Sequence, residues 1–328
     1  MKTRNLYQLL SKKYGTNEVS YIETYNWKKH PIKILCAIYH AVKQNENIIM
    51  LPAHNGVKIF TPLLLGFAKG TSVKLFYDVI GGWLPQKTKA DKKLAARLRK
   101  FDGIWVETSK MKKSLNEQRF SNISVVPNFK LITPLTPEEL PTVKKPYRLC
   151  TFSRVMEQKG IEDAIEAVIR INTEFKKTIY MLDIYGPIDE PYQERFEILR
   201  MKFPAYIQYK GVIPPNESVS VLKGAFALLF PTHFFTEGIP GTLIDAYAAG
   251  IPVVAAKWEN YDDVLDDGVT GWGYEMSDKQ GLFSILSNIH QNTTEWELIR
   301  KNCLKKYAYF SVDEVFNSIQ KQLIGNKV

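Results

Sequence analysis

The stretch Thr236–Ala255 reads TEGIPGTLIDAYAAGIPVVA and contains a complete local folding pattern. Glycine and proline at its start predict a loop, the residues from Thr242 predict a helix, and IPVVA predicts a strand. Near Gly241 the helix N-terminus would present unpaired N–H groups, which bind anions. Glu237 and Asp245 flank this loop, and sugar hydroxyls are suitable partners for carboxylates beside an anion site. The alternative is an ordinary loop–helix–strand unit with two solvated acids.

A second stretch, Phe152–Gly160, reads FSRVMEQKG between a predicted strand and a predicted helix. Arg154 and Lys159 should therefore lie near the carboxyl end of a sheet, where ligands bind in open α/β folds. An arginine fork and a mobile lysine charge together can neutralise a diphosphate. Taken alone, this turn is better explained by solvated charges.

Apolar runs alternate with amphipathic runs along the chain, which predicts an α/β fold with mostly parallel sheets. In the first part the predicted strands are Val19–Ile22, Asn47–Leu51, Val73–Tyr77, Gly103–Glu107 and Ile123–Val126, with helices over Pro31–Gln44 and Lys87–Phe101. In the second part the predicted strands are Arg148–Ser153, Thr178–Tyr185, Ile207–Lys210, Ala225–Phe230 and Ile251–Ala255, with helices over Gly160–Ile171, Glu217–Gly224 and Thr242–Ala249. Helices are predicted from Lys279 onward.

A proline-rich passage separates the two alternating parts. Its prolines are Pro127, Pro134, Pro137, Pro141 and Pro146. Because proline fixes φ and donates no hydrogen bond, the passage is predicted to be an extended connection. The sequence thus predicts one domain over residues 1–140, a second over 146–310, and a C-terminal helix over 311–328 that packs back on the first domain.

The chain has 328 residues, of which 45% are hydrophobic and 24% are charged, as in ordinary globular proteins of two domains. Three cysteines and five histidines show neither a disulfide pattern nor metal-ligand spacing, so we expect no metal site. The longest apolar run is too short to span a membrane, and the first residues lack the apolar core of a signal peptide. We therefore expect a cytoplasmic protein.

Positive charge is concentrated in the N-terminal part. Residues 1–140 contain 23 Lys and Arg against 10 Asp and Glu, and Lys87–Lys113 contains ten basic residues against three acidic ones. On a helix, Leu94 and Leu98 would form only a narrow apolar strip, so attraction to a partner would be electrostatic. Anionic lipid is the first candidate, which would place the protein at the inner face of the cell membrane. Nucleic acid is a weaker candidate, because no binding module accompanies the charge, and a solvated face is the third reading.

The start of the chain is unusual for this architecture. It opens on a helical pattern of Leu6, Leu9 and Leu10, whereas a doubly wound domain normally opens on a central strand that feeds a ligand-binding turn. We therefore expect the N-terminal domain to lack its first strand and Gly-rich loop.

In combination, SRVMEQKG and EGIPGTLIDAYAAGIPVVA resemble the retaining glycosyltransferases of family 4. The resemblance implies the GT-B fold, with two Rossmann-like domains whose parallel sheets face each other across a cleft. It also implies that Arg154 and Lys159 hold the donor diphosphate, that Glu237 lies by the donor sugar, and that Asp245 binds the nucleotide ribose. Asp245 stands where the family usually has glutamate, which shortens this arm by one methylene.

The resemblance implies further contacts with the donor. Backbone contacts are expected from the loop after Glu237 and from the turn and strand ends that precede it. These positions are Ser153, Gly186, Gly211, Val212, Ile213, Gly238, Ile239, Pro240, Gly241 and Thr242. In the first domain Tyr77–Trp83, YDVIGGW, resembles a segment of bacterial polysaccharide-assembly members. There Asp78, Gly81 and Gly82 would meet donor or acceptor, with Asp78 as a catalytic candidate, or would simply form a turn.

The function implied is transfer of a hexosyl unit, with retained configuration, from a nucleotide diphosphate sugar to a glycan or polyprenyl-linked acceptor in cell-surface polysaccharide biosynthesis. A UDP-sugar is the expected donor, and no separate cofactor is expected. The expected partners are this donor, the acceptor and an anionic membrane surface, without nucleic acid. Three alternatives stay open at this point: a sugar-nucleotide epimerase of the same fold, a non-catalytic partner subunit or incomplete gene product, and a nucleic-acid-binding module.

Overall fold

The computed structural model describes residues 2–278 and 280–324. Its strands are β1 Asn47–Met50, β2 Lys74–Asp78, β3 Gly103–Val106, β4 Ile123–Val125, β5 Tyr147–Phe152, β6 Tyr180–Tyr185, β7 Ile207–Gly211, β8 Ala227–Phe230, β9 Val253–Lys257 and β10 Gly271–Glu275. Its α-helices are α1 Lys2–Tyr14, α2 Pro31–Gln44, α3 His54–Ala68, α4 Leu84–Ala90, α5 Lys92–Leu98, α6 Ser109–Glu117, α7 Ile161–Glu174, α8 Gln193–Arg200, α9 Ser218–Leu222, α10 Gly241–Ala248, α11 Tyr261–Val264, α12 Gly281–Ile289, α13 Trp296–Tyr307 and α14 Val312–Ile324.

The chain forms two compact units. The N-terminal unit comprises residues 2–129 together with 312–324, and the C-terminal unit comprises residues 130–311. Each is built on a parallel sheet with helices between successive strands, as the alternation of apolar and amphipathic runs predicts. Among the described helices, none combines the length and the apolar character that crossing a membrane requires.

The N-terminal unit has a four-stranded sheet in the order β1-β2-β3-β4. Residues 2–46 contribute no strand to it, and the predicted strand Val19–Ile22 is wrong. Val19 and Ile22 are half-buried against the unit's apolar clusters, so side-chain packing rather than sheet pairing holds this segment. Helix α1 packs Leu6, Leu9 and Leu10 into the same cluster as Trp105 of β3 and Phe316 of α14.

The predicted helix Lys87–Phe101 is broken into α4 and α5 by Asp91. The Asp91 side chain accepts a hydrogen bond from the Leu94 amide at 3.0 Å and caps the second helix. Leu94 and Leu98 are buried in the unit's core rather than forming an apolar strip at the surface. The basic side chains of α4 and α5 therefore lie on a surface where neither Leu94 nor Leu98 is exposed.

A buried ion pair lies at the carboxyl end of β2. Lys2 Nζ lies 2.6 Å from Asp78 Oδ1 and 3.4 Å from Glu107 Oε1, and it donates to the Val79 carbonyl at 2.9 Å. Burial raises the pKa of Asp78 to about 6, and Lys2 opposes this shift. For Lys2, burial lowers the pKa, but the two carboxylates outweigh it and leave the pKa above its ordinary value. Asp78 thus belongs to the framework of this unit.

The C-terminal unit has a six-stranded parallel sheet in the order β10-β9-β8-β5-β6-β7. Its first strand, β5, lies between β8 and β6, so the strand order reverses direction at β5, which is where a doubly wound sheet binds its ligand. Two apolar clusters cover the two faces of the sheet. Strand β10, with the sequence GWGYE, was not predicted; its Trp272 and Tyr274 alternate with glycines, which are depleted in strands and weaken the pattern.

Apart from Pro127, the prolines of the proline-rich passage belong to the C-terminal unit, which moves the boundary from the predicted 140–146 to 129/130. Backbone contacts explain the difference. The Leu135 amide donates to the Ala248 carbonyl at 2.8 Å, and Arg300 Nη1 donates to the Pro141 carbonyl at 2.6 Å. Proline has no amide donor, but its carbonyl can still accept a hydrogen bond. An extended, proline-rich passage can therefore pack against the rest of the unit. Lys279, where the predicted C-terminal helices begin, lies outside the described residues.

The raised pKa of Asp78 predicts a pH-dependent stability. A carboxyl that holds its proton more tightly when folded adds stability at low pH, and this stability is lost as the pH rises through about 6. Between about pH 4.5 and 7, the free energy of unfolding of the wild type, relative to Asp78→Asn, should fall by about 2 kcal/mol. Urea titrations at both pH values measure the difference. Asp313→Asn, at an exposed position, is the matched control, and the same slope in both variants would contradict the assignment.

Candidate active site

The turn after β5 brings a lysine to the carboxyl end of the sheet. The Val155 amide donates to the Pro187 carbonyl at 2.9 Å, which fixes the start of the turn beside the end of β6. Gly160 ends it with φ +65°, and a Cβ atom there would lie 1.8 Å from the Pro231 carbonyl oxygen. Only glycine allows this approach, so the turn packs directly against the residues that follow β8. Lys159 stands next to Gly160 at this point of contact.

Lys159 and Glu237 form an ion pair. The two side chains are 17% and 19% exposed, so the pair is sheltered but accessible. Thr232 Oγ1 donates to Glu237 Oε1 at 3.5 Å. The rings of Phe230 and Phe234 lie 5.4 and 4.9 Å from the ammonium. Lys159 is predicted to hold the diphosphate and Glu237 to lie by the sugar. The two residues are 78 positions apart in sequence, yet their side chains are in contact.

The loop after Glu237 leads directly into helix α10. Trp258 Nε1 donates to the Gly238 carbonyl at 3.1 Å and holds the loop in position. Ile239 is buried in the core, so only its backbone is available to a ligand. Pro240 precedes the helix without capping it by a side chain, and the Leu243 amide donates to the Pro240 carbonyl at 3.0 Å. Among the described residues, the Gly241 and Thr242 amides have no intrahelical acceptor, and the buried Thr242 hydroxyl has no hydrogen-bond partner.

Asp245 lies one turn into α10 and is only 1% exposed. Its Oδ2 lies 2.5 Å from Lys130 Nζ, and its Oδ1 accepts from Ser218 Oγ at 2.8 Å. Burial raises the pKa of Asp245 above its ordinary value, and Lys130 and Ser218 oppose the shift. Both carboxylate oxygens are therefore occupied and enclosed. Direct contact between Asp245 and a ribose stays a prediction, and it would require Lys130 to move.

Arg154 is not part of the Lys159–Glu237 pair. Its side chain is 60% exposed and lies 3.2 Å from Asp189 Oδ1. Nearby, Gly186 has φ +134°, and a Cβ atom there would lie 1.8 Å from the Ser153 carbonyl oxygen, so this strand end also requires glycine. The Gly186 amide donates to the Gly211 carbonyl at 2.9 Å, and the Gly186 carbonyl accepts from Tyr209 Oη at 2.9 Å, so this backbone is engaged within the unit.

The predicted base-binding segment is the continuation of β7. Gly211 has φ +78° and open space where a side chain would be. Val212 is 63% exposed, and Ile213 is half-buried against the core. An exposed valine beside a glycine offers an apolar surface of the kind on which a flat ring can lie.

The remaining predicted residues lie in the N-terminal unit. Asp78 is 1% exposed and paired with Lys2, which favours the structural alternative over the catalytic role. The Gly81 amide donates to Glu107 Oε1 at 3.4 Å, so Gly81 belongs to the same cluster, and Gly82 follows it in the turn. None of the three lies in the unit that carries the Lys159–Glu237 pair.

Sequence reasoning missed several supporting side chains. Lys130 and Ser218 bind Asp245, and Asn260 Nδ2 donates to the Glu237 carbonyl at 2.7 Å. Each is far from its partner in sequence and belongs to no motif, so no local pattern could identify it. Within residues 2–278 and 280–324, no group of histidine, cysteine and carboxylate side chains could hold a metal ion.

Residues 133–302 match the family model described as glycosyl transferases group 1. The chain belongs to this family. The match includes the turn after β5, the Lys159–Glu237 pair and helix α10, whereas Lys130 lies just before the matched region. Residues 133–302 thus form a domain of this family, and the two parallel α/β sheets of the chain are those of the GT-B fold.

Among curated proteins, the chain is 28% identical over 162 residues to the putative colanic acid biosynthesis glycosyltransferase WcaL of Salmonella typhimurium, covering 47% of this chain and 39% of that protein. It is 27% identical over 155 residues to the amylovoran biosynthesis glycosyltransferase AmsK of Erwinia amylovora, covering 46% and 38%. The matched region spans about two fifths of the length of these relatives.

Among solved structures, Anabaena Alr3699/HepE in complex with UDP and glucose superimposes with a TM-score of 0.72 at 14% identity, covering 97% of this chain and 89% of that one. The pneumococcal O-GlcNAc transferase GtfA, in complex with UDP and GlcNAc, gives a TM-score of 0.69 at 21% identity, covering 89% and 59%. At these identities the likeness concerns the fold.

Proposed function

We propose that this glycosyltransferase moves a hexosyl unit from a UDP-sugar to a glycan or polyprenyl-linked acceptor in cell-surface polysaccharide biosynthesis, as the family 4 resemblance implies. The observation that carries the proposal is the accessible Lys159–Glu237 pair beside the N-terminus of α10. It combines a cation and helix amides for phosphate oxygens with a carboxylate for sugar hydroxyls.

The ion pair suggests how the donor is received. The diphosphate would draw Lys159 away from Glu237, and the freed carboxylate would accept hydrogen bonds from the sugar. In the reaction the bond between the anomeric carbon and the diphosphate oxygen breaks, and a bond to the acceptor oxygen forms. The acceptor proton passes to the leaving diphosphate. Lys159, Arg154 and the helix amides would stabilise the charge that develops on that group. Retention of configuration rests on the family resemblance.

The names of similar proteins support the biological setting. Two curated relatives are named for colanic acid and amylovoran biosynthesis, both of which concern polysaccharides. Two solved structures of the same fold contain UDP with a sugar. A role as one subunit of a larger glycosyltransferase is the second candidate, because a further relative, from Streptococcus gordonii, is named as the GtfA subunit of a UDP-N-acetylglucosamine–peptide N-acetylglucosaminyltransferase.

Substitution of either member of the pair should reduce transfer strongly without unfolding the protein. Lys159→Met and Glu237→Gln should each lower kcat/KM by about 10²–10³, the effect of losing one preorganised charged contact. Sugar transfer from a panel of nucleotide sugars, with product analysis, measures this. Lys202→Met and Glu194→Gln, at exposed positions, are the matched controls. Near-normal transfer by either site variant would overturn its role, and wild-type binding of UDP without any transfer would favour the partner-subunit candidate.

We also propose that the basic face of the N-terminal unit attaches the enzyme to an anionic membrane surface, where a polyprenyl-linked acceptor would be found. Lys58, Lys87, Lys92 and Lys93 line one surface depression together with Ala90 and Asp91. With Leu94 and Leu98 buried beneath it, this face has charge but no apolar strip to insert, so the attraction should be electrostatic.

Sedimentation with vesicles tests the attachment. Binding to anionic vesicles should exceed binding to neutral ones and fade in high salt, because the screening length falls from ~10 Å at 0.1 M to ~3 Å at 1 M. A variant with Gln in place of Lys87, Lys92, Lys93 and Arg97 should lose this binding. The control replaces Lys144, Lys177, Lys202 and Lys301 of the other unit and removes equal charge. If both variants bind alike, the basic face has no specific role.

A further inference from the structure

Lys130 presents a buried ammonium that is only partly satisfied. The residue is 5% exposed, and its Nζ lies 2.5 Å from Asp245 Oδ2. The ammonium has three N–H donors. Within the part of the chain that the structure describes, it makes this one hydrogen bond. Buried donors normally find partners. Two N–H donors of this ammonium therefore have no acceptor among the described residues.

Asp245 is the member of the pair that a ligand reaches less easily. Its two oxygens are taken by Lys130 and Ser218, and at 1% exposure it lies deeper than Lys130. The carboxylate therefore holds the ammonium in place, and the ammonium is the group that can meet a ligand. The sequence predicts that Asp245 contacts the ligand directly, whereas this arrangement makes Lys130 the member of the pair that would contact it.

The surroundings of Lys130 are rich in donors. Its side chain runs past the first residue of α10, since Cδ and Cε lie 3.8 and 3.9 Å from the Cβ position of Gly241. In the first helical turn, the Leu243 amide donates to the Pro240 carbonyl, whereas the Gly241 and Thr242 amides lack intrahelical acceptors. Beside them, the Thr242 hydroxyl is buried and has no partner among the described residues. An ammonium, helix amides and a hydroxyl together are complementary to phosphate oxygens, which only accept hydrogen bonds.

We propose that Lys130 is a donor-binding residue, whose ammonium, held by Asp245, contacts phosphate oxygens of a nucleoside diphosphate at the N-terminus of α10. The inference rests on the proposed function and adds to it a second lysine, from the passage before β5. Lys159 and Lys130 would then bind the diphosphate together, with α10 as the shared element.

Calorimetry of the full chain with UDP, UMP and uridine tests the proposal. Lys130→Met should weaken UDP binding about 10- to 100-fold, the loss expected for a hydrogen bond to a charged group. Uridine binding should stay within about twofold, because no phosphate is involved, and Lys130→Arg should retain UDP binding within about threefold. Lys144→Met, in the same passage but exposed, is the matched control and should bind UDP as the wild type does.

A second variant separates binding from folding. Lys130→Met leaves Asp245 without its counter-charge, which destabilises a buried carboxylate. The double variant Lys130→Met with Asp245→Asn removes both charges, so it should melt near the wild-type temperature and still bind UDP weakly. Wild-type UDP affinity in the double variant would overturn the proposal, as would equal losses of UDP and uridine binding in Lys130→Met.

The experiment also distinguishes this inference from the function on which it rests. Tight binding of UDP by both the wild type and Lys130→Met would overturn the role of Lys130 alone. If the wild type binds neither UDP nor UMP, the proposed function fails and this inference fails with it.

Discussion

The ion pair between Lys159 and Glu237 joins the turn after β5 to the loop after β8, and the candidate site depends on this link. The two segments meet because β5 and β8 are neighbours in a parallel sheet, whose carboxyl ends lie at one edge. Gly160 permits the close packing that the link needs. Glu237 in turn precedes the loop that positions the N-terminus of α10. One charged contact thus brings three segments together around one candidate anion-binding site.

Each unit also contains a buried lysine–aspartate pair, Lys2–Asp78 in one and Lys130–Asp245 in the other. Removing two charges from water costs free energy that their attraction need not recover. Such pairs are weak evidence for stability, and we infer that their value lies in position. Lys2 fixes the end of β2, whereas Lys130 is held with unused donors beside α10. The same chemistry therefore has a structural use in one unit and a proposed binding use in the other.

Local pattern predicted the elements and the motif residues, but not the partners of those residues. Helix α2 has the predicted bounds Pro31–Gln44, and Lys159 meets Glu237 because both follow strands that the alternation identifies. Asp91 divides a predicted helix because its capping bond competes with helix continuity. Lys130 lies 115 positions from Asp245, and no local rule links a lysine in a proline-rich passage to a helix that distant. The enclosure of both aspartates likewise comes from tertiary packing.

The central claim is that the Lys159–Glu237 pair receives the diphosphate of a nucleotide sugar. Calorimetric titration of the wild-type chain with UDP and with UMP, in the same buffer and salt, tests it most directly. The second phosphate adds charge-assisted hydrogen bonds, so UDP should bind at least about tenfold more tightly than UMP. That difference should disappear in Lys159→Met. Equal affinities for UDP and UMP in the wild type, or an unchanged difference in Lys159→Met, would contradict the account.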